Sequence, residues 1–387
     1  MIHISKRVDF TWFKGKAAWL NRYVGWGIRV VAVFLALIVS GLLIFFITKL
    51  NPIKVYGVMI EGVFGTPRLA WAWVRDFMLL LLIAVGLAPA FKMRFWNIGA
   101  EGQVLVGGLA TAACMIYLGG ANIPTALLLI MMAVGSMTAG AVWGVVPALF
   151  KAKWNTNETL FTLMMNYIAI QLTSFLIPKW EHPKGSNSVG IINSDTNAGW
   201  FPKLFEGPIG KLDTTQGFAK FLAAGEPVFL SVIIVLAVVL FMFFYLKKSK
   251  HGYEIAVVGE SENTARYAAM NVKKIVIRSM TLSGALCGLA GFMAVSGIDH
   301  TVSTATAGGR GFTAIIVAWL AKFNAFVMVL ISAIIVFLQK GAVSIASEFG
   351  LSKDVSHIIT GIILFFILGS EFFINYEIKL ARAAKKE

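Results

Sequence analysis

Apolar residues in this chain fall in long runs and show no strict alternation. The runs cover 28–48, about 77–91, 95–120, 123–150, 157–177, 227–246, 276–297, 325–346 and 356–376. Several exceed the roughly 18–20 residues that a helix needs to cross a bilayer. A tenth run, 312–321, is too short to cross and reads as a half-span or broken helix ending at Lys322 and Asn324. The first run is too long for a signal-peptide core and lacks a small-residue cleavage site, so it is expected to remain in the mature protein. Residues 49–76, with Pro52, Pro67, Trp71 and Trp73, read as a loop. Residues 178–226 are the longest hydrophilic stretch and read as an ordered loop or small subdomain outside the bilayer.

Composition agrees with that pattern. Of 387 residues 58% are hydrophobic, and the mean hydropathy is +0.78, more apolar surface than a soluble domain can hide. The expected class is an all-α polytopic membrane protein with about ten segments, one of them the half-span. The net charge of +15 is parcelled between apolar runs, so it reports membrane topology and not a nucleic-acid surface. With the N-terminus inside, residues 1–29, 92–94, 151–153, 247–278, 322 and 379–386 carry 22 of the 34 Lys and Arg, as the positive-inside rule requires. An even number of segments puts both termini in the cytoplasm. Residues 1–27 interleave Lys and Arg with Trp, Phe and Tyr, which suits an interfacial segment on inner-leaflet lipid. The tail, 377–387, is basic. Cys114 and Cys287 lie in apolar runs and read as core residues, and the five histidines have no metal-binding spacing.

The polar residues inside the runs carry the functional question. Ser136, Gly140 and Gly144 recur every four residues, a face that lets another helix approach closely, and Gly284 and Gly288 form a similar pair. Glu101, at a span entrance, either faces a cavity or partner or is held by the dipole of its own helix. Asn97, Gln103, Asn166 and Tyr167, like Asn155, Asn157 and Glu158, either line a path or join helices. Residues 247–275 form a basic, polar island between two membrane-length runs. Ser261, Glu262 and Asn263 can cap a short helix over 263–269, too short to stand alone without a docking partner. An ordinary cytoplasmic loop is the other reading. No phosphate-binding G-x-x-x-x-G-K-[ST] occurs, nor G-x-S-x-G, H-E-x-x-H or C-x-x-C. No catalytic residue and no metal site is expected.

Four stretches carry a resemblance: FWNIGAEGQ from Phe95, NETLFTLMMNYIA from Asn157, GYEIAVVGESENTARYAAMNVKK from Gly252, and GRGFTAIIVAWLAKFNAF from Gly309. Together they resemble permease subunits of bacterial ATP-binding cassette (ABC) importers of the ribose-type sugar and branched-chain permease family, nearest its nucleoside-uptake branch. The resemblance implies a ten-helix permease of the bacterial inner membrane. It also implies a second, different permease chain, a cytoplasmic ABC ATPase that binds the ATP, and an extracytoplasmic substrate-binding protein. No cofactor is implied for the permease itself. The segment matching 247–275 carries the family's coupling helix, which assigns ATPase contact to Gly259, Glu260, Asn263, Ala265, Ala268 and Ala269. Two positions depart from the family pattern: Ala321 and Ala325 stand where Gly and Pro are usual, which puts the geometry of the half-span in question. The implied solute is a nucleoside, with a simple sugar or a flavin-like vitamin as alternatives. An ion-coupled secondary transporter would need intramembrane acids, and beyond Glu101 the runs offer almost none.

Overall fold

The computed structural model describes residues 51–202 except 122, 224–352, 2–6 and 376–380, and scattered positions within 31–46, 221–222 and 355–369. The chain divides into two compact units, residues 1–66 with 337–387 and residues 67–336.

In the first unit, β1 (Ile2–Lys6) pairs antiparallel with β2 (Tyr376–Leu380), Ile2 opposite Leu380. Most of the expected interfacial segment and the last residues of the tail lie outside the described residues. The expected spans at 28–48 and 356–376 are described only in part; the residues described there are helical, except Tyr376, which opens β2. The loop expected over 49–76 is not observed. Helix α1 (Pro52–Phe64) occupies its first half, opened by the Asn51 side chain, which accepts from the Ile53 amide at 2.9 Å, and by Pro52 in the first turn. Val55, Met59 and Val63 recur at four-residue intervals and are buried, Val55 and Met59 against Leu338, Ala342 and Ile345. A proline-rich start thus hides an amphipathic helix whose apolar stripe finds a partner far along the chain.

The second unit holds α2 (Pro67–Lys92), α3 (Ala100–Leu118), α4 (Thr125–Trp154) and α5 (Glu158–Trp180). These are followed by α6 (Glu226–Lys248), α7 (Lys250–Glu260), α8 (Glu262–Tyr267), α9 (Val272–Ala294), α10 (Arg310–Leu320) and α11 (Ala325–Glu348), which runs on past residue 336. A π-helical turn, Val295–Asp299, extends α9. Among the described residues, seven helices (α2 to α6, α9 and α11) are long and apolar enough to cross a membrane, and α10 is a shorter apolar helix. Helix α2 starts ten residues before the apolar run expected there, because Pro67 is pre-set for the first helical position. The half-span begins at Arg310, two residues earlier than expected, and its geometry is regular despite Ala321 and Ala325. Ala321 closes α10, the chain turns through Lys322 and Phe323 at positive φ, and Ala325 opens α11.

Helix α9 is the axis of this unit and packs on α2, α3 and α4. Its small residues make that possible. A Cβ on Gly140 would overlap the Gly284 carbonyl, one on Gly288 the Ser136 carbonyl, and one on Gly291 the Val104 carbonyl. The small faces read from the sequence therefore meet each other, and α3 joins the same crossing through Gly107 and Gly108. At the far end of α9, part of the long hydrophilic stretch is ordered. Trp200 stacks on His300 at 3.8 Å between ring centroids, the Ile192 amide donates to the His300 carbonyl at 2.8 Å, and Asn193 Nδ2 donates to the Met115 carbonyl at 2.8 Å. The rest of the stretch, 203–220, lies outside the described residues.

Candidate functional site

The turn between α2 and α3 is held by a closed polar network. Asn97 Nδ2 donates to Gln103 Oε1 at 3.3 Å and to Ser283 Oγ of α9 at 3.2 Å, while Asn97 Oδ1 accepts from the Gly99 amide at 3.1 Å. Asn166 of α5 accepts from the Gly102 amide at 2.8 Å and donates to the Ile98 carbonyl at 2.9 Å. Thr162, one turn earlier, accepts from the Ile98 amide at 3.1 Å. Asn97, Gln103, Asn166 and Thr162 are all buried. Every member has a partner on a neighbouring element, so the arrangement joins α3, α5 and α9 and offers little to a solute. Tyr167 does not join it: its side chain is 64% exposed on α5.

Glu101 has a third role, neither of the two read from the sequence. Its carboxylate accepts from the Gly309 amide at 2.6 Å and the Gly311 amide at 2.8 Å. It thus caps the N-terminus of another helix, α10, satisfying amides that have no partner within that helix and meeting the positive end of its dipole. Gly311 has no room for a side chain, because a Cβ there would lie 2.7 Å from Glu101 Oε2.

Beside this cap lies a set of charges that reading the runs one by one missed. Arg310 Nη2 approaches Asp76 Oδ1 of α2 at 3.5 Å, and Arg75 Nε donates to the same oxygen at 3.3 Å. Asp299, at the end of the π turn, lies within electrostatic reach of Arg310, Arg75 and Asp76. Asp76 fell in the stretch read as a loop, and Asp299 and Arg310 between the apolar runs 276–297 and 312–321. The available signal was the continuity of the helical pattern back from 77 to Pro67.

On the opposite side, the 247–275 island folds as two helices. The short one spans 262–267 and not 263–269. Ser261 alone is its cap, accepting from the Thr264 amide at 3.2 Å, while Ala268 ends it and Ala269 takes a left-handed φ of 58°. The preceding helix, α7, is fastened to the spans. Gly259 packs against the Lys92 carbonyl at the end of α2 with no room for a Cβ, and Arg278 of α9 donates to Glu254 at 2.8 Å. That bond from Arg278 holds the Glu254 carboxyl below its ordinary range. Of the six residues the resemblance assigns to the ATPase, Gly259 and Ala265 are buried in this chain. Glu260, Asn263, Ala268 and Ala269 are exposed, as is Tyr267 at 93%. Ala265 and Ala268 therefore do not present one common face outward: Ala265 packs inward. A cleft of about 490 Å³ opens beside α8 between Arg94, Lys151, Gly259, Glu260, Arg266 and Lys273. Among the described residues no cluster of His, Cys, Asp or Glu could hold a metal ion.

Helices of membrane length around a shorter apolar helix, α10, capped by Glu101 mark a multi-pass membrane protein. Residues 69–368 match the family described as branched-chain amino acid transport system / permease component, and the chain belongs to that family. It is 29% identical to the guanosine ABC transporter permease protein NupP of Bacillus subtilis, over 89% of this chain and 93% of that one. It is 30% identical to the glucose ABC transporter permease protein TsgB13 of Haloferax volcanii, over 94% and 91%, and 27% identical to the nucleoside ABC transporter permease protein NupB of Lactococcus lactis, over 92% and 95%. No solved structure matches the chain significantly. The protein is thus a multi-pass ABC permease of the bacterial inner membrane, a transport component and not an enzyme.

Proposed function

We propose that this chain forms half of the translocation path of an ABC importer for a nucleoside. The similarity to guanosine and nucleoside permeases over nearly the whole length of both chains carries this reading. A glucose permease at similar identity keeps a simple sugar as the second reading. The other half of the pore is a second permease, a different chain by the resemblance. An extracytoplasmic binding protein delivers the solute. The ATP is bound by a cytoplasmic ATPase, since this chain has no phosphate-binding loop, and the permease itself needs no cofactor.

The coupling route follows from the packing. The exposed side of α8 (Asn263, Tyr267 and Ala268) is the part a partner can hold. A displacement of α8 passes to α7 and then, through Gly259 on Lys92 and Glu254 on Arg278, to α2 and α9. Those two helices also carry Asp76 and Asp299, so movement at the ATPase reaches the middle of the bundle through rigid elements and rocks it between outward- and inward-open states. The topology is ten segments with both termini inside. A cytoplasm-only reporter is active when fused near Asn263 and inactive near Asn193.

The decisive experiment is uptake of labelled guanosine by cells whose other nucleoside importers are deleted, with and without this permease and its partners. Uptake that depends on this chain and is not competed by glucose supports the nucleoside reading. Uptake of glucose in place of guanosine replaces it with the sugar reading.

A further inference from the structure

The geometry points to Arg75, Asp76, Asp299 and Arg310 as the point in the translocation path that recognises the solute, a neutral ring compound rich in hydroxyl groups. This rests on the permease reading and adds the site and its chemistry. Arg75 and Asp76 are the ninth and tenth residues of the 26-residue α2. At about 1.5 Å per residue, Asp76 lies roughly 24 Å from Lys92. With Lys92 at the inner boundary, that places Asp76 inside a hydrocarbon core of about 30 Å. Arg310 opens α10, whose other end, Trp319, stacks on Trp96 and meets Phe91 of α2. Arg310 is therefore about 14 Å above the inner end, again at membrane depth.

At that depth an ionised side chain that is not wholly enclosed does not face lipid. Yet the Arg75 and Arg310 side chains are 32% and 28% exposed, while Asp299, exposed at the end of the 28-residue helical stretch from Val272, stands at the outer mouth of the cluster. Their open side must face a water-filled path. Two guanidiniums against two aspartates leave no net field for an anion or a cation, because the third carboxylate, Glu101, is occupied by the α10 amides. Such a set offers N–H donors and carboxylate acceptors side by side, which suits hydroxyl and carbonyl groups.

Guanosine is the probe, in cells carrying the complete transporter. Asp299→Asn and Arg310→Lys are expected to raise KM for guanosine about tenfold while the assembled complex persists. Thr313, three residues from Arg310 on the same side of α10 and half-buried, is the labelling position. In a Cys114→Ser background, Thr313→Cys is expected to react with a charged, membrane-impermeant thiol reagent and to react more slowly with guanosine present. The inference is overturned by an assembled Asp299→Asn complex with unchanged KM. It is equally overturned if Thr313→Cys reacts only with a lipid-soluble maleimide, the result for a face turned to lipid. Where a charge variant fails to assemble, the Thr313→Cys result decides. If the unaltered transporter takes up no guanosine, the nucleoside reading fails, and the labelling still shows whether this face lines a path.

Discussion

Two polar regions within the spans of this permease differ in one respect. Around Asn97, Gln103, Asn166 and Thr162 every group is buried and answered by a neighbour on another helix. Around the buried Asp76, the charged groups of Arg75, Asp299 and Arg310 are left partly open. A polar residue in a membrane helix is therefore not by itself a mark of function. In the closed region hydrogen bonds replace the greasy contacts that give lipid-embedded helices no net advantage over lipid. In the open region, full satisfaction would leave nothing for a solute to bind. The outer side of α8 is exposed in the same way.

The strongest test of the closed region is Gly288→Leu. Gly288 meets the Ser136 carbonyl with no space between them, and a leucine there forces α9 off α4. The expected cost is on the order of 3 kcal/mol or more, seen as loss of the assembled complex in detergent. Asn166→Ala comes next: it leaves the Gly102 amide and the Ile98 carbonyl without their partner, a loss of about 2–3 kcal/mol in a thermal-stability assay. Uptake should fall with the amount of folded protein and KM should hold, the reverse of the pattern expected for Asp299→Asn. A changed KM in Asn166→Ala would erase the distinction between the two regions.

On the open side of α8, Ala268→Arg is expected to leave the unfolding free energy within about 0.5 kcal/mol of the unaltered protein and to lower uptake about tenfold through lost ATPase binding. Ala265→Arg is expected to destabilise the segment itself, because Ala265 is buried in this chain. Equal stability for the two variants would contradict the inward placement of Ala265. Glu254 gives a smaller effect with a defined pH window. Its folded-state pKa lies below the ordinary carboxylate value, chiefly through the bond from Arg278. The stabilisation is therefore complete above the unfolded value of about 4.3 and is lost as pH falls through the folded value. Glu254→Gln should be less stable at pH 7, and the gap from the unaltered protein should close under acid. The smallest effect is Ala269→Gly. Ala269 holds a φ of 58° that costs a side-chain-bearing residue about 1 kcal/mol, so glycine should raise stability by up to that amount.

Properties that depend on a residue and its near neighbours could be read from the chain alone. The membrane class follows from the length and apolarity of the runs. The short apolar helix α10 follows from a run too short to cross, and the close-packing faces of α4 and α9 from small residues spaced four apart, because helix geometry places such residues on one face whatever lies opposite. Tertiary structure decided what depends on partners far along the chain. Glu101 is separated by 208 and 210 residues from the amides it caps, and no local pattern distinguishes it from a path-lining acid. Arg310 and Asp76 lie on different helices, and only the packing of α10 on α2 brings their charges together. Ala265 and Ala268, three residues apart, looked equivalent on a helical wheel. The packing of α8 against the rest of the chain buries one, and the end of the helix after Tyr267 leaves the other exposed, because burial is a property of the surface a residue meets and not of the residue.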